Sequence, residues 1–315
     1  MRWEDLEQSS NIEDRRGEQG GGYGGGGFGL PIGGGGLGIG TIVVIGLVGW
    51  FLGIDPRLLI GGAEVLNRGG YQQQYRPAPG QQQARRTSTP TDQMGNFVSR
   101  ILGNTEVVWT EIFSQRGGTY RKPVLVLYNN VTDGRCGGEA RASMGPFYCP
   151  VDQKVYLDTS FFRQIETRFH GCEGKACQFA QAYVIAHEVG HHVQNLLGIL
   201  PKVQTQQRGL DRAKANHLQV QVELQADCYA GVWANRENQR LKERGQPPFI
   251  EQKDIDAALQ TAAAIGDDTL QRNAGRAVVP DAFTHGSSEQ RQRWFSTGLK
   301  EGRVGACDTF GAARL

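Results

Sequence analysis

The feature that most constrains this chain is the run His187-Glu188-Val189-Gly190-His191, set inside an apolar stretch from Phe179 to Leu200. Ala176, Phe179, Ala180, Tyr183, Val184, Ile185 and Ala186 lead into it, and Val193, Leu196 and Leu197 lead out to Gly198, a C-terminal cap. No proline interrupts the run before Pro201, so the spacing predicts a helix. On a helix the two histidines stand one turn apart on one face, within reach of a single metal ion. Glu188 is rotated to the side of that pair, where it can act on a metal-held water without being a ligand. Two imidazoles and a carboxylate are costly to bury without a shared partner, which counts against a helix of merely packed histidines.

A catalytic zinc site needs a third protein ligand and an open position. Leu210 to Asn235 reads as a second long helix, in which Glu223 and Asp227 share one face among Val222, Leu224, Ala226, Tyr229 and Trp233. Glu223 can supply the third ligand, while Asp227 can accept a hydrogen bond from the far nitrogen of a ligand histidine and fix its tautomer. The reserve ligand is His217, although its six-residue separation from Glu223 points the two to different faces. His170 and His192 read as structural or exposed.

Composition narrows the setting. The formal net charge of +2, with both signs interspersed, carries no nucleic-acid footprint, so no nucleic-acid partner is expected. Cys136, Cys149, Cys172, Cys177, Cys228 and Cys307 contain no Cys-x-x-Cys pair, which suits a disulfide framework better than a zinc ribbon; six free thiols in a cytosolic enzyme is the alternative. Six cysteines allow roughly fifteen pairings. Proximity favours Cys172 with Cys177 and Cys136 with Cys149, leaving Cys228 with Cys307.

Residues 1–36 form a polar, then glycine-rich arm, expected to be a flexible coil because it has little apolar surface to offset the entropy of ordering. Residues 37–54 read LGIGTIVVIGLVGWFLGI, and no charge falls between Glu18 and Asp55. As a helix this segment is about 27 Å long, close to the hydrocarbon thickness of a bilayer. It reads as one transmembrane helix with Trp50 and Phe51 at the interface, in preference to a cleaved signal peptide or a buried soluble helix. The cysteines all follow it, so the expected orientation is single-pass, N-terminus cytoplasmic and remainder extracytoplasmic (periplasmic). Residues 55–94 form a Gln/Pro-rich linker, and residues 95–315 a single domain. In that domain a helix near Asn96 to Leu102, a strand at Pro123 to Tyr128 and an extended or hairpin segment from Gly145 to Asp158 precede helices at Ile255 to Ile265 and Ser287 to Leu299, the last with a Ser287-x-x-Gln290 capping box. Strands first and helices after predicts an α+β class.

From Met1-Arg2-Trp3 and Glu13-Asp14-Arg15-Arg16, through GPFYCP at Gly145 to Pro150, to HEVGHHVQ, ELQADCYAGVW and THGSSEQR, most of the chain resembles the neutral zinc metallopeptidases, bacterial membrane-anchored proteins. The resemblance implies a zincin-like domain of the gluzincin class, a small sheet plus active-site helices. It also implies Zn2+ on His187, His191 and Glu223, Glu188 as base, and Asp227 behind the ligands. A metzincin would need Gly at Gln194 and His at Leu197, so that class is rejected. The long interval from His191 to Glu223 is more similar to CAAX-type and heat-shock gluzincins, which carry a later His-Pro segment with an Arg six residues on. Here His285 and Arg291 keep that spacing, with Gly286 in place of Pro. His285 is accordingly implied in transition-state stabilisation.

The expected function is hydrolysis of a peptide or protein substrate: Glu188 takes a proton from a zinc-activated water and passes it to the leaving amine, and His285 or a tyrosine such as Tyr148 helps hold the oxyanion. An extended substrate would add to a strand edge within residues 145–158. Two other readings are a membrane-tethered binding or scaffold protein with a structural zinc, and a di-iron carboxylate protein. The second is disfavoured by a single Glu-x-x-His unit.

Overall fold

The first long helix, α1 (Gln93–Ser114), is capped by the Asp92 carboxylate, which accepts from the Gly95 N–H at 3.0 Å. In the computed structural model the described residues are 1–17, 87, 89–136, 138–141, 145–167, 170, 172–174 and 177–315. A four-stranded sheet is built from β1 (Ile12–Asp14), β2 (Val124–Tyr128), β5 (Phe147–Cys149) and β6 (Lys154–Asp158), in the order β1-β2-β6-β5. The first three strands of that order run parallel, with Ile12 opposite Leu125 and Val126 opposite Tyr156. β5 closes the edge antiparallel to β6, Tyr148 opposite Val155. Between β2 and β5 the hairpin β3 (Val131–Gly134) and β4 (Gly138–Arg141) forms a separate two-stranded sheet. VLVLY at β2 has four buried residues in succession, as expected of an internal parallel strand covered on both faces.

The remaining chain is helical: α2 (Ser160–Thr167), α3 (Cys177–Leu196), α4 (Ile199–Gln207), α5 (Arg212–Glu243), α6 (Gln252–Ala264), α7 (Asp267–Asn273) and α8 (Ser288–Glu301). Gly198, at φ +76°, turns the chain between α3 and α4, and Ser287 caps α8 with both hydrogen bonds of its capping box in place. The core lies where α3, α5 and α8 meet. Phe179 stacks on Trp233 at 6.2 Å between ring centroids, and Phe249 and Phe295 flank it. Three disulfides join Cys136 to Cys149, Cys172 to Cys177 and Cys228 to Cys307.

Two expectations are corrected here. The described chain is mostly helical with a small sheet, rather than an α+β fold behind a spanning helix; the strands hold only three to five residues each. Among the described residues no helix is long and apolar enough to cross a membrane. The segment 37–54, like most of the arm and linker, lies outside the described residues. The decisive finding against the single-pass arrangement is where residues 1–17 go. Trp3 and Leu6 are buried in the main core, Trp3 edge-on to Phe97 at 5.3 Å, and Ile12–Asp14 is a strand of the sheet. Ser9 and Asn11 donate to the buried Glu106 carboxylate at 2.7 and 2.8 Å. One crossing at 37–54 would put this segment and residues 95–315 on opposite sides of a bilayer, yet they share one core.

Candidate metal centre

α3 carries His187, Glu188 and His191, and α5 carries Glu223 and Asp227. The two helices approach at Gly190: a Cβ there would lie 3.1 Å from both Cα and O of Ala226, the residue before Asp227. Glycine in the third residue after His187 is thus what lets the two functional faces meet.

At the crossing, His187 and His191 stand edge to face with ring centroids 4.7 Å apart. The Glu223 Oε2 atom lies 3.2 Å from His187 Nε2 and 3.5 Å from His191 Nε2, and these residues offer ligand atoms all within 4.8 Å of one another. All three residues are buried or nearly so. The outer ring nitrogens are already taken: His187 Nδ1–H donates to Asp227 Oδ1 at 2.8 Å, and His191 Nδ1 faces Gln194 Oε1 at 2.9 Å. Both Nε2 atoms therefore turn toward Glu223. Two imidazole nitrogens and one carboxylate oxygen, with the outer nitrogens held by acceptors, are the donor set zinc takes in a three-ligand site.

The electrostatics also fit a cation. Burial opposes charge on His187, but attraction to Asp227 and hydrogen bonds to Asp227 and Glu223 outweigh it and push its pKa up to about 10. Glu223 is held well below the usual carboxylate range: burial pulls the other way, and His191 and His187 prevail. Burial raises Glu188 against the opposing pull of His191 and His187, the direction that suits a group trading protons.

Asp227 is itself fully enclosed. It accepts from His187, from the Tyr183 hydroxyl at 2.5 Å, and from Arg291 through Nε and Nη2, both at 2.9 Å. Burial would raise its carboxyl, but Arg291 foremost among its partners brings it to about 2. In the sequence Arg291 stands out only for its six-residue distance from His285. The stronger signal was its place on α8, on the buried stripe with Trp294, Phe295 and Gly298. Tyr183, Gln194 and Asp267 left no such mark.

His285 is on the loop entering α8. Asp267 Oδ2 accepts from the backbone N–H groups of Thr284, His285 and Gly286 at 2.7, 2.6 and 3.0 Å, and the His285 ring meets Asp267 Oδ1 at 3.3 Å. The His285 ring is near enough to Glu223 for each to shift the other's titration. Gly286 has φ +95°, unreachable by the proline that stands there in the gluzincins with a His-Pro segment.

The Tyr148 hydroxyl directs its proton to His192. His192 Nε2–H donates to the Arg121 carbonyl at 2.6 Å, so its Nδ1 accepts the Tyr148 O–H at 3.0 Å, while Asn195 donates to the same hydroxyl. Burial brings His192 down to about 4, keeping it neutral for that role. His217 is exposed and lines a cleft with Phe283 and Arg293.

The comparisons with known proteins agree with this chemistry. A family model described as "Putative neutral zinc metallopeptidase" matches residues 1–310. The uncharacterized protein YpfJ of Escherichia coli (strain K12) is 43% identical over 312 residues, 99% of each chain. An uncharacterized protein of Mycobacterium tuberculosis (strain H37Rv) is 40% identical over 269 residues, 84% of this chain and 85% of that protein. No solved structure matches. With a family model covering nearly its whole length, this chain belongs to the neutral zinc metallopeptidase family.

Proposed function

We propose that the chain is a zinc-dependent endopeptidase, with residues 95–315 as the catalytic domain and the arm 1–17 built into it. The observation that carries this reading is the convergence of His187, His191 and Glu223 from two helices, with Glu188 buried beside them. These three residues would hold Zn2+, which when bound supplies Lewis acidity toward a water and a substrate carbonyl. Glu188 takes the proton from the attacking water and returns it to the leaving amine. Asp227 keeps His187 in the tautomer that turns Nε2 inward. His285, fixed by Asp267, would stabilise the developing oxyanion. Among the described residues three candidate ligands converge, whereas a structural zinc is closed by four, which favours catalysis over a scaffold.

The test uses the full chain, wild type and Glu188→Gln, with zinc content and cleavage of a mixed-peptide library measured together. Equal zinc in both with cleavage lost by about 10²- to 10⁴-fold in the variant is expected. A variant that cleaves like the wild type would overturn the assignment of Glu188, and a wild type that takes up no zinc would overturn the centre.

A further inference from the structure

His187 is braced by a carboxylate, but His191 has a different support that leads out of the site. Gln194, fully buried one turn along α3, donates through Nε2 to the Val222 carbonyl at 2.8 Å and to Gln225 Oε1 at 3.0 Å. Gln225 in turn donates through Nε2 to the Cys307 carbonyl at 2.8 Å. Main-chain carbonyls only accept, so the direction of the whole series is determined from its far end. The Gln225 amide must present NH2 to Cys307 and its oxygen to Gln194. Gln194 must then present NH2 to Val222 and Gln225, and its oxygen to His191. The group left for His191 Nδ1 is an N–H donor, so in the neutral ring the lone pair is on Nε2, the nitrogen on the Glu223 side, where a metal can take it.

Cys307 is itself held against α5. It is bonded to Cys228, the residue after Asp227, and its neighbour Thr309 exchanges hydrogen bonds with Gln221, donating at 2.7 Å to the Gln221 carbonyl and accepting at 3.2 Å from the Gln221 amide.

We infer that Gln194 and Gln225 are positioning residues for the metal centre, a two-amide relay through which the disulfide-anchored segment at Cys307 sets the tautomer and aim of His191. The inference rests on the zinc reading above and adds a remote support to it. The two ligand histidines are thus braced unequally, His187 by a charged group inside the helix bundle and His191 by a neutral relay ending on the C-terminal segment.

The relay is tested by zinc affinity, read by competition with a chromophoric chelator, and by the melting temperature of the metal-free full chain, in Gln194→Met, Gln225→Met and Gln221→Met. Gln221 pins the same segment to the same helix but touches neither Gln194 nor His191, so it separates positioning from simple anchoring. Gln194→Met and Gln225→Met are expected to weaken zinc binding about ten-fold or more. Gln221→Met is expected to lower the melting temperature with wild-type zinc affinity. Should Gln194→Met not fold, Gln225→Met reads the same relay from its far side. Tight zinc binding in the wild type with Gln225→Met unchanged, or an equal loss in Gln221→Met, would overturn the relay alone. A wild type without zinc affinity would overturn the metal reading and the relay with it.

Discussion

Gly190 and Ala226 touch backbone to backbone where α3 crosses α5, and the positions of all three candidate ligands depend on that contact. Because Ala226 Cα is main chain, a larger residue at 190 can be accommodated only by moving a helix. Gly190→Val is therefore expected to cost about 1–3 kcal/mol in stability. It should weaken zinc binding as well, since Glu223 would move off the histidine pair. Chemical denaturation and a zinc titration check the two effects, and normal zinc affinity in a folded Gly190→Val protein would refute the link.

Arg291→Met removes both hydrogen bonds from the only guanidinium on Asp227 among the described contacts and leaves a buried carboxylate short of charge compensation. Breaking a buried pair in this way costs about 3–5 kcal/mol. Arg291→Lys keeps the charge but not the two-pronged geometry, so an intermediate loss is expected. Urea denaturation of the three proteins orders them wild type, Lys, Met. Equal stability of Met and wild type would contradict the part assigned to this pair.

His285→Ala should retain zinc and lower kcat by roughly 10²-fold with little change in KM, the pattern for a group acting on the transition state. Gly286→Pro, which places the proline of the His-Pro gluzincins in this loop, is expected to damage the protein. Proline cannot take φ +95° and lacks the N–H that donates to Asp267. Steady-state kinetics on the first and a melting curve on the second decide both.

The metal-free protein should lose stability as pH rises. The His187 pKa is about 10 when folded, against an ordinary value near 6.5. The folded state thus holds this proton more tightly than the unfolded chain. The contribution is complete below about pH 6.5 and is lost as pH climbs toward 10. Asp227, lowered to about 2, contributes in the opposite sense, with stability lost only as pH falls through the acid range. Calorimetry in the presence of a chelator should show a melting temperature declining between pH 6.5 and 10. The increase on adding zinc should grow over the same interval, because the metal displaces that proton. A flat metal-free profile would rule out the protonated, carboxylate-held His187.

What the chain alone determined was local. The His187 and His191 spacing, the shared face of Glu223 and Asp227, and the Ser287 capping box all follow from helical periodicity within a few residues, and helices do form there. The apolar runs at α3 and α5 were legible, whereas the apolar run at 37–54 suggested a spanning helix that the packing of residues 1–17 into the domain overturns; short elements such as β1, α2 and α7 carry too little periodic signal in a few residues. Residues 1–17 depart from the coil expected of the arm. Polar composition predicted coil, yet Trp3, Leu6 and Ile12 find their partners in Phe97 and Leu125, about a hundred residues away along the chain. The supports of the centre were illegible for the same reason. Asp227 with Arg291, Asp267 with His285, and Gln225 with Cys307 are joined across 64, 18 and 82 residues. A buried hydrogen bond takes its energy from geometry in space, which no interval along the sequence encodes; only the packing of α3, α5 and α8 decided which polar groups would meet.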